Sequence, residues 1–466
     1  MKNHHFLLLT RPAQGHLNPN LQLAKRLAST GARVTFATTI NGRNRLKSLR
    51  TFDGISYTFF SDGHDHAEPP KNGDFTTYMA TAKTVVAREV TRMIQTFAEE
   101  GKPVTLLIYG FLLPWAALVA RQLNVPSAFL VVQTATVFAI YHKYFDSRGS
   151  IYNGGCNIES SVSVKISNLP LFSSSDLPTF LLPTDQYFAT SAYFNEHMKY
   201  LEDDPKPCVL INTFHNLEEA SIKAIDNIQV IPIGPLIPSA FTDGNDPEDK
   251  SFGCDLFDSN RSDYLQWLDS KPPHSVIYVS FGSLAVLKKE QKVEILQGLL
   301  ESGRSFLWII RPSDDDEDEA VKASIQEGSS GKGIILSWCS QVEVLSHKSI
   351  GCFVSHCGWN STLESLVAGV PIVGCPQFSD QATNAKMVEE VWGIGVRAGK
   401  TEGLVEREEI KRCLDILMED GERGEEIRQN ASKWRCLALE AIKEGGSSHN
   451  NLKMLLDSSY ENTLYK

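Results

Sequence analysis

The residues best suited to binding an anionic ligand are concentrated in one stretch of the sequence, residues 338–381. Within it, the apolar segment "GCFVSH" predicts a strand that runs into "CGWN" and then into a helix through "STLESLVA". A glycine at such a turn lets the backbone approach a ligand, and the helix start presents unpaired N–H groups at the positive end of its dipole. His356, Asn360 and Ser361 surround the turn and can donate hydrogen bonds. These features predict a phosphate-binding site.

A structural alternative exists for two residues of this stretch. Ser361 and Glu364 fit the S-x-x-E capping box, in which each side chain bonds to a backbone N–H at the start of a helix. In that case both residues would only stabilise the helix.

His16 is the second candidate for chemistry. It follows the apolar segment "HHFLLLT" and precedes Asn18-Pro19, a preferred N-cap and first helical residue. Apolar residues then recur at helical spacing as far as Gly31, and "RVTFATT" predicts a second strand. In a strand-loop-helix-strand unit the loop lies at the carboxyl edge of a parallel sheet, where open α/β folds bind ligands. His16 is therefore either a functional residue or an ordinary loop or capping residue.

The elements that must position these residues alternate between strand and helix along the whole chain. The first half has apolar segments such as "VTLLIYGFLLPW" and "PCVLINTF", and the second half repeats the theme from "SVIYVSFGS" onwards. This alternation predicts an α/β protein with two parallel-sheet domains, residues 1–240 and 263–445. The Pro-, Gly- and Asp-rich residues 241–262 are interpreted as the linker between them. A cleft between two such domains is a preferred ligand site.

Composition excludes several classes of protein. The chain has 466 residues, of which 42% are hydrophobic and 22% charged, and a formal net charge of -11. This acidic balance argues against binding nucleic acid, and no window is apolar enough to span a membrane. The nine cysteines lack metal-type spacing, and no targeting segment is visible, so a cytoplasmic location is expected.

The sequence has partial signals for two further kinds of site. A dinucleotide site needs G-x-G-x-x-G directly after the first strand, whereas the loop "RPAQGH" has one glycine. The acidic run "DDDEDE", from Asp314 to Glu319, could bind a metal, although such a run is usually a solvated loop.

Residues 338–381 resemble, over 44 positions without a gap, the signature box of the plant family 1 UDP-dependent glycosyltransferases. The likeness extends over the whole chain, including "PAQGHLNP" and "YVSFGS", and is greatest to the group that includes the anthocyanin 5-O-glucosyltransferases. It implies the GT-B fold, two Rossmann-like domains facing across a cleft, with a C-terminal helix at about residues 446–466 that packs back on the N-terminal domain.

The resemblance also implies a role for each residue of a UDP-glucose site. Uracil would stack on Trp338 beside the Cys339 backbone and Gln341, and the ribose hydroxyls would donate to Glu364. The implied diphosphate contacts are His356, Asn360, Ser361 and Ser283, and the implied sugar contacts are Trp359, Asp380, Gln381 and Thr134. Gln381 at the end of the box accompanies glucose donors in the family, although "PQFSDQ" departs from the commoner ending.

The same resemblance makes His16 the general base. It would deprotonate a small phenolic or carboxylic acceptor for in-line attack on the anomeric carbon, giving a β-glucoside or a glucose ester. No metal, and no cofactor besides the donor, is required. The acceptor would be enclosed by variable segments, with candidates at residues 79–85, 133–141 and 177–194.

One position departs from the family pattern. The aspartate that usually orients the histidine is replaced by Gly110 in "LIYGFLLPWAA". Glycine can neither accept the ring N–H nor stabilise an imidazolium. Gly110 is also the sole support for the alternative function, a nucleotide-sugar-binding protein with impaired catalysis.

Overall fold

The computed structural model describes residues 4–43, 52–65, 75–145, 163–165, 169–182, 190–250, 261–311 and 331–456. The acidic run 314–319, linker residues 251–260 and the C-terminal residues 457–466 lie outside this description. No helix among the described residues combines the length and apolarity needed to cross a membrane.

The N-terminal half, residues 4–250, is built on a seven-stranded parallel sheet with the order β3-β2-β1-β4-β5-β8-β9. Strands such as "HFLLL" are buried along their whole length because helices cover both faces of the sheet. The strands are β1 (His5–Leu9), β2 (Arg33–Thr39), β3 (Ile55–Phe60), β4 (Leu106–Gly110), β5 (Ser127–Val131), β6 (Ser163–Lys165), β7 (Leu171–Ser173), β8 (Cys208–Ile211) and β9 (Gln229–Pro232), of which β6 and β7 form a separate antiparallel pair.

The helices of this half are α1 (Gln14–Ser29), α2 (Ile40–Arg43), α3 (Phe75–Glu99), α4 (Ala116–Gln122), α5 (Ala135–Phe145), α6 (Ser191–Glu202) and α7 (His215–Lys223). Short 3₁₀ turns occur at Ser174–Asp176, Thr179–Leu181 and Ser239–Phe241.

The C-terminal half, residues 261–456, has a six-stranded parallel sheet with the order β12-β11-β10-β13-β14-β15. Its strands are β10 (Val276–Ser280), β11 (Ser305–Ile309), β12 (Gly333–Leu336), β13 (Ile350–Ser355), β14 (Ile372–Gly374) and β15 (Gly395–Arg397). Its helices are α8 (Arg261–Asp269), α9 (Lys289–Glu301), α10 (Gln341–Leu345), α11 (Trp359–Ala368), α12 (Gln381–Lys386), α13 (Arg407–Met418), α14 (Glu422–Ile442) and α15 (Ser447–Met454), with a π-helical turn at Met387–Val391.

In both sheets the strand order reverses beside the first strand, at β1/β4 and at β10/β13. This is the Rossmann-type order, in which ligands bind beyond the carboxyl ends of the two strands at the reversal. The predicted α/β class with two Rossmann-like sheets is confirmed.

Helix α1 begins earlier than the sequence indicated. The prediction of a start at Asn18-Pro19 is wrong, because the Ala13 carbonyl already accepts the backbone N–H groups of His16 at 2.9 Å and Leu17 at 2.8 Å. Pro19 therefore lies inside the helix, where its ring keeps a helical φ and only one backbone hydrogen bond is lost. His16 is in the first helical turn and not in a loop.

The last described helix, α15, packs against the N-terminal sheet. The Ser448 hydroxyl donates to the Gly234 carbonyl at 2.6 Å, and the Asn451 amide donates to the Pro232 carbonyl at 2.8 Å. Leu452 is buried in the core beneath the same sheet.

A buried ion pair joins the two halves. The Asp176 carboxylate, 5% exposed, lies 2.5 Å from Nη1 of Arg397 and 3.5 Å from Nζ of Lys386. Burial raises the pKa of Asp176, but hydrogen bonds from Ser173 and Arg397 outweigh burial and bring the pKa below its usual value. The carboxylate is therefore ionised at neutral pH.

We expect Asp176→Ala to destabilise the protein by about 2 kcal/mol at neutral pH, because it removes the charged hydrogen-bond partner of Arg397 and, among the described residues, leaves Lys386 paired with Glu390 alone. The folded-state pKa of Asp176 is depressed, so this contribution is present above the unfolded pKa of about 3.9 and disappears as the pH falls through the lower folded-state value. Urea unfolding from pH 7 down to pH 3 measures it. Asp226→Ala removes an ion pair whose carboxylate is 64% exposed and should change stability by less than about 1 kcal/mol. Equal effects of the two variants would contradict the role of Asp176.

Candidate functional site

A cavity of about 470 Å³ lies between the two halves. Both strand-order reversals open onto it, since β1 and β4 lead to His16 and Phe111, and β10 and β13 lead to Ser283 and His356. The cavity brings together every predicted site residue except Thr134, namely His16, Ser283, Trp338, Cys339, Gln341, His356, Trp359, Asn360, Ser361, Glu364, Asp380 and Gln381.

His356 is held between two glycines at the predicted phosphate turn. A Cβ atom at Gly282 would lie 2.6 Å from Nε2 of His356, and one at Gly358 would lie 2.5 Å from the same atom. Both distances are shorter than any real contact, so these positions accept no side chain while the ring stays in place. Burial lowers the pKa of His356 to about 4. At neutral pH the ring is uncharged and can serve a phosphate only as a hydrogen-bond donor.

The capping-box alternative for Ser361 and Glu364 is wrong. The N-cap of α11 is Gly358, so Ser361 lies inside the helix and cannot cap it, and no side chain hydrogen-bonds to the cap. The Gln341 amide instead donates to Ser361 Oγ at 2.8 Å and to Glu364 Oε2 at 2.9 Å. The two side chains therefore face the cavity from the first two turns of the helix.

Glu364 is close to half-protonated at neutral pH. Burial raises its pKa to about 7, and the hydrogen bond from Gln341 opposes this shift only in part. The Tyr278 hydroxyl donates to Gln341 Oε1 at 3.2 Å and thereby fixes which end of the amide faces Glu364. Trp338 is half-buried on the cavity wall beside this group, where its ring can stack on a flat base.

At the predicted sugar end, Gln381 presents hydrogen-bond donors. Its carboxamide oxygen accepts the backbone N–H groups of Gln377 at 2.8 Å and Phe378 at 3.1 Å, which leaves the amide N–H groups for a ligand. Asp380 is buried, which raises the pKa of its carboxyl group, and it accepts from the Asn384 amide at 2.8 Å.

Trp359 and Thr134 make contacts that differ from those expected. The Trp359 indole N–H donates to the Asn212 carbonyl at 2.7 Å, so only the backbone N–H of Trp359, at the start of α11, remains for a sugar. Thr134 is fully buried outside the cavity lining, and its hydroxyl accepts from the Val137 N–H at 3.1 Å and donates to Asn384 Oδ1 at 3.2 Å. Its side chain caps α5 and joins the two halves, so it does not reach the cavity.

Arg311 was missed by the sequence reasoning. It lies two residues beyond the end of β11, at the carboxyl edge of the sheet, and its guanidinium donates to the carbonyls of Ser283 and Ala285. It therefore holds the loop that carries Ser283. An arginine at the end of "FLWIIR" is the signal that could have identified it.

His16 lies on the opposite wall, with its ring 6.3 Å from the Phe111 ring and nearly parallel to it. Burial lowers the pKa of His16 to about 4, so the imidazole is neutral at neutral pH. Within the described part of the chain no carboxylate hydrogen-bonds to the ring. A Cβ at Gly110 would lie 3.8 Å from the Leu9 carbonyl and 3.9 Å from Thr10 Oγ1, which are ordinary contact distances, so a Cβ atom fits at this position.

The wall around His16 is aromatic and uncharged. Phe111 packs against Phe194, with ring centroids 4.2 Å apart, and Phe194 packs against Phe180. Phe129 and Phe138 extend this wall. Of the three segments expected to enclose an acceptor, 133–141 and the described part of 177–194 contribute to the cavity, whereas residues 79–85 do not line it. Within the described residues, no group of three or more metal-ligating side chains is found.

Known proteins resemble this chain over its full length. The family model described as UDP-glucoronosyl and UDP-glucosyl transferase matches residues 250–431. The phloretin 4'-O-glucosyltransferase of Malus domestica is 48% identical, with 98% of each chain covered, and an anthocyanidin 3-O-glucoside 5-O-glucosyltransferase of Verbena hybrida is 45% identical, covering 98% of this chain and 99% of that one. Among solved structures, Os79 from O. sativa in complex with UDP superposes with a TM-score of 0.85 at 33% identity, covering 99% of this chain and all of that one.

These likenesses confirm the GT-B fold and the predicted family. The residues expected to bind the donor lie at one strand-order reversal, and a histidine lies on the wall at the other. The chain belongs to the plant UDP-dependent glycosyltransferases and is a UDP-sugar-dependent transferase.

Proposed function

We propose that this enzyme transfers glucose from UDP-glucose, with inversion at the anomeric carbon, to a small aromatic acceptor that carries an acidic hydroxyl or a carboxyl group. The observation that carries the proposal is the position of His16 across one cavity from the α11 turn, against an aromatic wall. A cytoplasmic location and a reaction without a metal or further cofactor are part of the same proposal.

In the proposed reaction, the acceptor oxygen bonds to the anomeric carbon as the bond from that carbon to the diphosphate oxygen breaks. The proton of a hydroxyl acceptor passes to the neutral imidazole of His16. The leaving electron pair stays on the UDP diphosphate, whose growing charge is met by the start of α11 and by donors from His356, Asn360 and Ser361. The backbone N–H of Trp359 and the amide of Gln381 would orient the sugar.

Two features indicate the class of acceptor: the phenylalanine wall of the cavity and the low pKa of His16. Phe111, Phe180 and Phe194 offer flat apolar surfaces that suit an aromatic ring. An imidazole with a pKa of about 4 is a weak base for a simple phenol, whose pKa is about 10. A carboxylic acid is already ionised at neutral pH and needs no base. Acceptors with lower pKa values should therefore react faster.

The alternative of a binding protein with impaired catalysis is not favoured, because the relatives are named as transferases and His16 is in place. Incubation with UDP-glucose and a panel of phenolic and carboxylic acceptors, read by mass spectrometry, tests the proposal. A glucosylated product is expected, and its absence with every acceptor would favour the alternative.

We expect His16→Ala to lower kcat for a phenolic acceptor by about 100-fold or more, the usual contribution of a general base. The affinity for UDP should stay within about twofold, because the nucleotide contacts lie on the other half. Initial rates and calorimetric titration with UDP measure the two quantities. If the variant kept more than about a tenth of the rate, His16 would not be the base.

Gly110→Asp should raise kcat/KM for weakly acidic phenols by about tenfold, the value of a charge-assisted hydrogen bond of about 1.5 kcal/mol to the imidazolium. A Cβ atom fits at position 110. For carboxylate acceptors, which are already ionised, kcat/KM should rise little. Gly110→Asn has the same shape without the charge and is the matched control. Two outcomes would refute the role assigned to the missing carboxylate. One is an equal rise of kcat/KM for phenols and carboxylates, and the other is an equal rise in Gly110→Asp and Gly110→Asn.

The raised pKa of Glu364 predicts that nucleoside binding depends on pH. Ribose hydroxyls donate best to the ionised carboxylate, so binding should release a proton near pH 7, and the Kd should rise as the pH falls from 8 to 6. Uridine, which has the ribose but no phosphate, is the appropriate ligand for titration calorimetry in two buffers. Glu364→Gln should bind more weakly with a flat pH profile; a flat profile in the native enzyme would argue against the ribose contact.

A further inference from the structure

Helix α1 carries a backbone carbonyl without a helical partner beside the proposed base. In an α-helix the carbonyl of residue i accepts the N–H of residue i+4, so the Gly15 carbonyl should be paired by residue 19. Residue 19 is proline, which has no N–H and whose ring pushes the carbonyl four residues earlier away from the helix axis. The Gly15 carbonyl is thus left without its helical donor directly before His16.

The partner of this carbonyl comes from the other half of the molecule. Nδ2 of Asn360 donates to the Gly15 carbonyl at 3.0 Å. A Cβ at Gly15 would lie 3.7 Å from the same nitrogen, an ordinary van der Waals contact, so the amide packs directly against this residue. The amide of Asn360 therefore lies directly over the first turn of α1.

Asn360 is also the second residue of α11, at the turn expected to hold the diphosphate. Its Nδ2 carries two N–H groups. One can donate to the Gly15 carbonyl while the other donates to a phosphate oxygen. A single side chain can thus contact the leaving group and the helix that carries the base.

Neighbouring contacts make this link stiff. The adjacent Trp359 is fixed to the N-terminal half by its indole N–H on the Asn212 carbonyl at 2.7 Å. On α1, the Asn20 amide donates to the His16 carbonyl at 2.8 Å, so the carbonyls of two successive residues are held by side chains. A shift of α11 at this point would be transmitted to the first turn of α1.

We propose that Pro19 frees the Gly15 carbonyl as an acceptor for Asn360, and that Asn360 thereby couples occupation of the diphosphate site to the position of His16. Pro19 and Asn360 are then positioning residues for the base. The inference rests on the proposed function for its effect on catalysis. The coupling itself needs only UDP binding.

Pro19→Ala tests the inference without altering a ligand-contacting side chain. The new N–H at position 19 would pair with the Gly15 carbonyl inside the helix and weaken the bond from Asn360. We expect kcat to fall by about 3- to 10-fold, the range for one hydrogen bond, while the Kd for UDP stays within about twofold. The thermal midpoint should be unchanged or higher, because an alanine replaces a proline in a helix. Gln22→Ala, in the same helix but with its backbone N–H unaltered, should not lower kcat.

A double-mutant cycle assigns the effect to the contact. In an Asn360→Ala background, Pro19→Ala should lower kcat no further, because the partner is already gone. Additive losses, or an unchanged kcat in the single variant, would overturn the inference. Hydrogen exchange supplies a readout without turnover: UDP should slow exchange at residues 14–24 in the native enzyme and much less in Pro19→Ala. Equal protection in the two proteins would also overturn it, whereas a native enzyme that shows this difference but transfers no glucose would refute only the proposed function.

Discussion

Two consecutive residues at the start of α11 join the two halves at the cavity. Trp359 and Asn360 donate to backbone carbonyls of the N-terminal half, at Asn212 directly after β8 and at Gly15 in the first turn of α1. Backbone carbonyls cannot move without their strands or helices, so these bonds define a distance between rigid bodies. That distance determines the size of the cavity and how near His16 lies to the start of α11. It also determines the burial that shifts the pKa values of residues lining the cavity.

Desolvation determines the charge state of the resulting site. His16 and His356 are both neutral because burial disfavours the imidazolium, and Glu364 is only partly ionised because burial disfavours its carboxylate. Arg311 donates to backbone carbonyls of the loop that carries Ser283. In the proposed reaction, the diphosphate would therefore be met by oriented neutral donors and a helix terminus, which need no reorganisation as charge develops on the leaving group.

Much of this arrangement could be predicted from the sequence, since uninterrupted apolar strands and alternating helices indicate two buried parallel sheets. The turn at His356 to Ser361 could be located because its residue types and glycine are local features. The start of α1 was misplaced, because Asn18-Pro19 has the local form of a helix start and the bonds from Ala13 are invisible in a pattern of residue types. The positions of Thr134, the Trp359 indole and Arg311 depend on contacts between segments far apart in the chain, which periodicity does not encode.

The glycines on either side of His356 have a consequence for how such an enzyme can change. No side chain can be added at Gly282 or Gly358 without displacing the ring, and Gly282 also has a positive φ of 74°. The diphosphate end of the cavity is thus closed to gradual variation in shape. On the phenylalanine wall, ring size and volume can change one residue at a time, so a combinatorial library aimed at new acceptors would begin with that wall.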